Sequence, residues 1–112
     1  MKIQINDLTY QNQILRKKFF KSIKKVFNHS NYILGPEVDK LESSLKSYCG
    51  AKYCISTSSG TDALLISLMS LGIKSGDEVI TTPFTYVSTV EVILRVGAKP
   101  IFADIESKSF NI

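Results

Sequence analysis

The sequence predicts an α/β protein with a mainly parallel sheet. Three observations carry that reading. Short β-rich runs alternate with helical segments of about ten residues, each helical segment repeats apolar residues at helical spacing, and Gly or Pro stands at the junctions between them.

The elements follow in order. Leu15, Phe19, Ile23 and Phe27 recur every four residues and, with Val26, describe an amphipathic first helix. A loop from Asn28 to Gly35 ends at Pro36, a residue suited to the first turn of a second helix striped by Val38, Leu41, Leu45 and Tyr48 and stopped by Gly50. Tyr53 to Thr57 reads as a first strand. Leu64, Leu65, Leu68 and Leu71 then set a helical period that closes with Gly72 in the C′ position. The turn Lys74, Ser75, Gly76, Asp77 leads into a second strand, Glu78 to Thr82, which Pro83 breaks. Val87, Val90, Ile93, Leu94 and Val96 describe another helix, closed by Gly97 before a third strand from Pro100 to Ile105. Two helices therefore precede a βαβαβ unit, with the boundary near residue 50, giving residues 1–50 as N-terminal helices and 51–112 as the sheet-forming part.

Composition places the chain among globular proteins: 112 residues, 44% apolar and 21% charged, fit one modest core. No apolar run approaches the ~20 residues that cross a bilayer, and Met1 to Asp7 lacks the apolar segment of a secretion signal, so a cytoplasmic protein is expected. The net charge of +4 is local. Arg16, Lys17, Lys18, Lys21, Lys24 and Lys25 fall on the first helix, and the rest of the chain is slightly acidic. Without aromatic residues interleaved on that basic face, a solvated lysine surface is expected rather than a nucleic-acid or membrane contact. Cys49, Cys54 and His29 match no zinc spacing, so no metal site is expected, and both thiols read as buried or half-buried.

The chemically informative junction is Ser58, Ser59, Gly60, Thr61, Asp62, Ala63, Leu64, which follows the first strand and opens the third helix. Small residues at such a turn leave backbone N–H groups unobstructed, and the first turn of a helix has unpaired donors at the positive end of the helix dipole. A phosphate dianion suits both. The same residues also suit a plain N-capped helix closed by Ser59 or Thr61, and neither GxGxxG nor GxxxxGK[ST] is present.

Four blocks, in order, extend the reading: Tyr32 to Val38, Ser58 to Leu64, Gly76 to Thr89 and Gly97 to Ile105, together with Asn6-Asp7-Leu8 near the start. Together they resemble the pyridoxal phosphate (PLP) dependent sugar aminotransferases of the DegT/DnrJ/EryC1/StrS family. The resemblance implies the aspartate-aminotransferase-like (fold type I) architecture, here the N-terminal part of the PLP-binding large domain over 1–112, with the remainder of that domain and a small C-terminal domain outside it. It also implies a homodimer, and transfer of an amino group from glutamate or glutamine to a nucleotide-linked keto sugar.

By the same resemblance Ser59, Gly60, Thr61 and Asp62 meet the cofactor phosphate, the last through its N–H with its side chain turned away, and Tyr86 stacks on the cofactor ring. Tyr32 and Gly35 correspond to a segment near the substrate end of the site. Asp104 has the residue type of a pyridinium partner but matches a different block, so it is not assigned that role.

A transaminase also needs a Schiff-base lysine and a carboxylate for the pyridinium nitrogen. None of the twelve lysines matches that motif, which the resemblance puts beyond Ile112. An inactive N-terminal segment of a longer enzyme is therefore expected. Two other readings stand beside it: a sugar dehydratase of the same family, in which histidine replaces the lysine, and a non-catalytic module acting through its basic helix.

Overall fold

The computed structural model describes residues 5–112, so Met1 to Gln4 of the N-terminal stretch lie outside the described residues. The chain forms two compact units that divide between Ile55 and Ser56.

The first unit holds two helices, α1 (Thr9–His29) and α2 (Pro36–Cys49). Asp7 accepts the Thr9 N–H at 2.9 Å and closes the start of α1. The helix runs past the expected boundary at Asn28 because Ser30 takes the left-handed cap, φ 56°, with its N–H on Val26 O. That position is usually glycine. Pro36 opens α2, and Gly50, φ 64°, closes it with bonds to Lys46 O and Ser47 O. The short connection between the helices is tightly tied. His29 Nδ1 accepts the Asn31 N–H at 3.1 Å, the Phe27 and Tyr32 rings meet edge to face at 6.2 Å, and Gly35 is buried. Cys54 is half-buried as expected, but Cys49 is exposed, since α2 turns its last residue outward.

The second unit contains α3 (Gly60–Ser70), β1 (Glu78–Thr81), α4 (Ser88–Arg95) and β2 (Lys99–Phe102). The two strands pair in parallel with Glu78 opposite Lys99 and Thr81 opposite Phe102, and Ala103 N–H extends the ladder to Thr81 O. A Lys99–Glu78 ion pair at 2.9 Å crosses the first rung. The expected first strand is corrected: residues 53–57 carry no strand assignment, and the sheet of the described residues has two strands. A β-run becomes a strand only when a neighbour accepts its hydrogen bonds, and β1 and β2 bond to each other.

Val92, Ile93 and Ala98 are the buried apolar residues, with Thr81 and Ser88 beside them, so the core lies where α4 covers the two strands. Leu64 and Leu68 of α3 reach a groove of about 190 Å³ that Val79, Thr81, Val92 and Ile93 also line. Gly72, φ 74°, ends α3, and the turn from Lys74 to Asp77, braced by Lys74 N–H on Asp77 Oδ2 at 2.8 Å, delivers the chain to β1. α3 packs on α4, and the groove that its Leu64 and Leu68 share with Val79 and Thr81 sets it beside β1.

Candidate functional site

Ser59 is the N-cap of α3, in extended conformation, and its Oγ accepts the Asp62 N–H at 3.1 Å. The same hydroxyl donates to Asp62 Oδ2 at 2.8 Å, and the Ser58 hydroxyl donates to that oxygen as well. The Ser59 side chain thus caps α3, and its one hydroxyl links the amide and the carboxylate of Asp62. Thr57 Oγ1 completes the turn by donating to Ser59 O at 3.0 Å.

The cap decides which donors remain. The Asp62 amide, expected to face an anion, is engaged by Ser59, whereas Gly60 and Thr61 N–H have no acceptor among the described residues. Those two amides are the free positive end of α3. Nothing lies within 4 Å of where a Gly60 Cβ would stand, so the backbone there is open to an approaching group. The Asp62 side chain turns back onto the serines. Their two hydroxyls, Ser58 first, hold its pKa below the ordinary carboxylate value, and Arg95 adds a favourable field that outweighs partial burial together with them.

Tyr86 stands in the loop between β1 and α4, beyond the carboxyl end of β1, and is 77% exposed. Its ring contacts no other ring among the described residues. The loop around it is ordered by its own side chains: Thr82 Oγ1 accepts the Phe84 N–H at 3.0 Å, the Thr85 and Thr89 hydroxyls meet at 3.0 Å, and Thr89 N–H bonds Tyr86 O. No hydrogen bond joins Tyr86 to the α3 turn among the described residues. The structure thus brings Ser59, Gly60, Thr61 and Asp62 together in one turn and sets Tyr86 on the following loop.

Tyr32 and Gly35 belong to the other unit. Tyr32 is exposed apart from its edge contact with Phe27, and Gly35 is held against the Asn31 carbonyl oxygen, which a Cβ would meet at 2.3 Å. The sequence reading did not single out His29, Lys25 and Glu37 as a group. Their only sequence signal is a lone histidine near a glutamate, and the helix connection is what joins them. No group of three metal-ligating side chains occurs among the described residues, and no helix among them is long and apolar enough to cross a membrane.

Comparison with known proteins matches this arrangement over nearly its full length. The chain is 48% identical over 110 residues to UDP-2-acetamido-2-deoxy-3-oxo-D-glucuronate aminotransferase of Pseudomonas aeruginosa, covering 98% of this chain and 31% of that protein. Among solved structures it superposes on a DegT DnrJ EryC1 StrS aminotransferase from Brucella abortus with a TM-score of 0.92 at 38% identity, covering 97% of this chain and 29% of that one. It also superposes on NtdA of Bacillus subtilis, solved with bound cofactor PMP, with a TM-score of 0.83 at 30% identity, over 95% of this chain and 25% of that one. The chain therefore spans less than a third of the length of the relatives it matches. A helix N-terminus open to an anion, an aromatic loop after β1 and these matches converge with the family model, which covers residues 13–112: the chain belongs to the DegT/DnrJ/EryC1/StrS aminotransferase family.

Proposed function

We propose that this chain forms the phosphate-binding part of a PLP-dependent sugar aminotransferase, acting as a cytoplasmic homodimer on a nucleotide-linked keto sugar with glutamate or glutamine as amino donor. One observation carries the reading: the α3 turn offers two unengaged amides at an open glycine, and the neighbouring carboxylate is turned away onto the Ser58 and Ser59 hydroxyls.

A phosphate group fits these residues. Gly60 and Thr61 N–H would donate to it, and the helix dipole would favour its charge. Ser59 holds the first turn rigid by capping it, so the two amides keep a fixed direction. Ser58 and Ser59 hold the Asp62 carboxylate, which limits repulsion of an anion in front of the helix. Tyr86 offers an exposed ring for stacking on an aromatic cofactor. When bound, pyridoxal phosphate supplies the electron sink that amino transfer requires. The Schiff-base lysine and the carboxylate for the ring nitrogen are assigned to none of these 112 residues, so the segment by itself is inactive. Tyr32 and Gly35 are proposed to shape the sugar end of the site. The P. aeruginosa relative, which acts on a UDP-linked 3-oxo sugar, supports the substrate class.

Titration of the natural full-length apoprotein with PLP, followed by absorbance of the bound cofactor, tests the assignment. Gly60→Ala, whose methyl group narrows the approach to the two amides, and Tyr86→Ala should each weaken binding roughly two- to tenfold with folding intact. Unchanged affinity in both variants would sink the phosphate and stacking roles together.

A further inference from the structure

Phe84 lies two residues before Tyr86 in the β1–α4 loop, and its ring stacks on Phe110 with centroids 5.9 Å apart and planes 30° from parallel. The two rings are 67% and 59% exposed, so this is not a core contact that burial would produce anyway. The Phe110 side is built to hold its ring in place. Phe110 sits at φ 57°, a left-handed conformation that aromatic residues rarely adopt. A closed turn imposes it: Phe110 N–H bonds Glu106 O at 2.9 Å, Glu106 N–H bonds Asn111 O at 2.9 Å, and the Ser109 hydroxyl donates to Glu106 Oε2 at 2.5 Å. That turn follows β2, whose register against β1 puts both loops at the carboxyl edge of the sheet.

We infer that Phe110 is a positioning residue for the cofactor-stacking loop, its ring clamping Phe84 and thereby fixing where Tyr86 stands. The inference rests on the proposed PLP site. The hydrogen bonds of Thr82, Thr85 and Thr89 stay within the loop and α4, so they set the shape of the loop. The Phe84–Phe110 stack is what ties it to a different element. Losing it leaves the loop its shape and removes its anchor. Cofactor binding and, more specifically, the angle of the bound ring should then change.

The test uses the natural full-length protein, titrated with PLP, with two readouts: affinity from absorbance, and the visible circular dichroism of bound cofactor, which reports how asymmetrically its ring is held. Phe110→Ala should weaken binding roughly two- to tenfold and reduce the dichroic amplitude per bound cofactor, whereas Gly60→Ala should weaken binding and leave that amplitude unchanged. Phe110→Leu, which keeps apolar bulk without the ring, should behave like alanine, and Phe110→Tyr should restore the wild-type signal. Phe84→Ala and the Phe84→Ala/Phe110→Ala double variant should match the single Phe110 variant, because one contact is lost in all three. Wild-type affinity and dichroism in Phe110→Ala, or additive losses in the double variant, would overturn the positioning role while leaving the PLP site intact. A wild-type protein that takes up no PLP would overturn the site assignment and this inference with it.

Discussion

His29 Nε2 stands 3.0 Å from Glu37 Oε2, joining the last residue of α1 to the first turn of α2 across the connection that carries Tyr32 and Gly35. The Asn31 N–H on Nδ1 leaves Nε2 as the ring nitrogen that donates. Lys25 approaches the other Glu37 oxygen at 3.0 Å, so one carboxylate gathers two donors from α1.

That arrangement sets a pH dependence. Lys25 foremost, with His29 assisting, holds the Glu37 pKa below its ordinary value of 4.5 against the opposing effect of desolvation. A lowered folded pKa gives stabilisation that is complete above the unfolded value and fades as pH falls through the folded one. The protection of the Asn31 and Val38 amides, measured as exchange relative to the intrinsic rate at each pH, should therefore be high at neutral pH and fall below about pH 4.5. Glu37→Gln should be less protected at pH 7 and show no further loss of protection in that acid window. Added salt should shrink the difference, because the group is solvent-facing.

Gly35 and Gly60 should respond oppositely to alanine. A Cβ at Gly35 would meet the Asn31 carbonyl oxygen at 2.3 Å, and a backbone atom cannot swing aside, so Gly35→Ala should lose more than ~1 kcal/mol in denaturant unfolding. A Cβ at Gly60 meets nothing within 4 Å. Gly60→Ala should keep its stability and lose PLP affinity, since the methyl group narrows the approach to the α3 amides.

Ser59→Ala removes both hydrogen bonds between the Ser59 hydroxyl and Asp62, the helix cap included. The expected cost is about 0.5–2 kcal/mol of stability, read as a lowered unfolding midpoint with unchanged denaturant slope. Ser58→Ala removes one donor to Asp62 and leaves the cap, so it should cost less.

Lys17, Lys21 and Lys24 should prove replaceable. Their triple glutamine variant should retain amino-transfer activity, and retention on heparin or anionic liposomes should be weak before and after substitution. Lys25 stays unmodified in this test because it pairs with Glu37. A large, salt-sensitive loss of polyanion binding would instead make the helix an interaction surface.

Residues 1–112 expressed alone should unfold without a sharp transition. Val92, Ile93 and Ala98 are the only buried apolar residues among those described, while Leu64, Ile66 and Met69 of α3 are exposed. So small a core cannot offset the entropy of ordering the chain. Thermal unfolding followed by near-ultraviolet circular dichroism of the tyrosines checks this, and a cooperative transition in a soluble monomer would refute it.

The sequence by itself determined the four helices, because each has a strong apolar period and three have a readable stop, Gly50, Gly72 and Gly97 at positive φ, whereas the end of α1 at Ser30 carries no such mark. It also determined the pairing-competent strands after Asp77 and Gly97, and the capped helix start at Ser59, where small residues and a capping pattern are local features. The tertiary structure alone decided the rest. Whether residues 53–57 become a strand depends on a neighbour, which local β-propensity cannot supply. That the Asp62 amide is taken by Ser59, leaving Gly60 and Thr61 as donors, is settled by side-chain rotamers within one turn. The contacts His29–Glu37 and Phe84–Phe110 join residues that no periodicity relates, and they exist because turns with unusual backbone angles, at Ser30, Leu34 and Phe110, fold the chain back on itself.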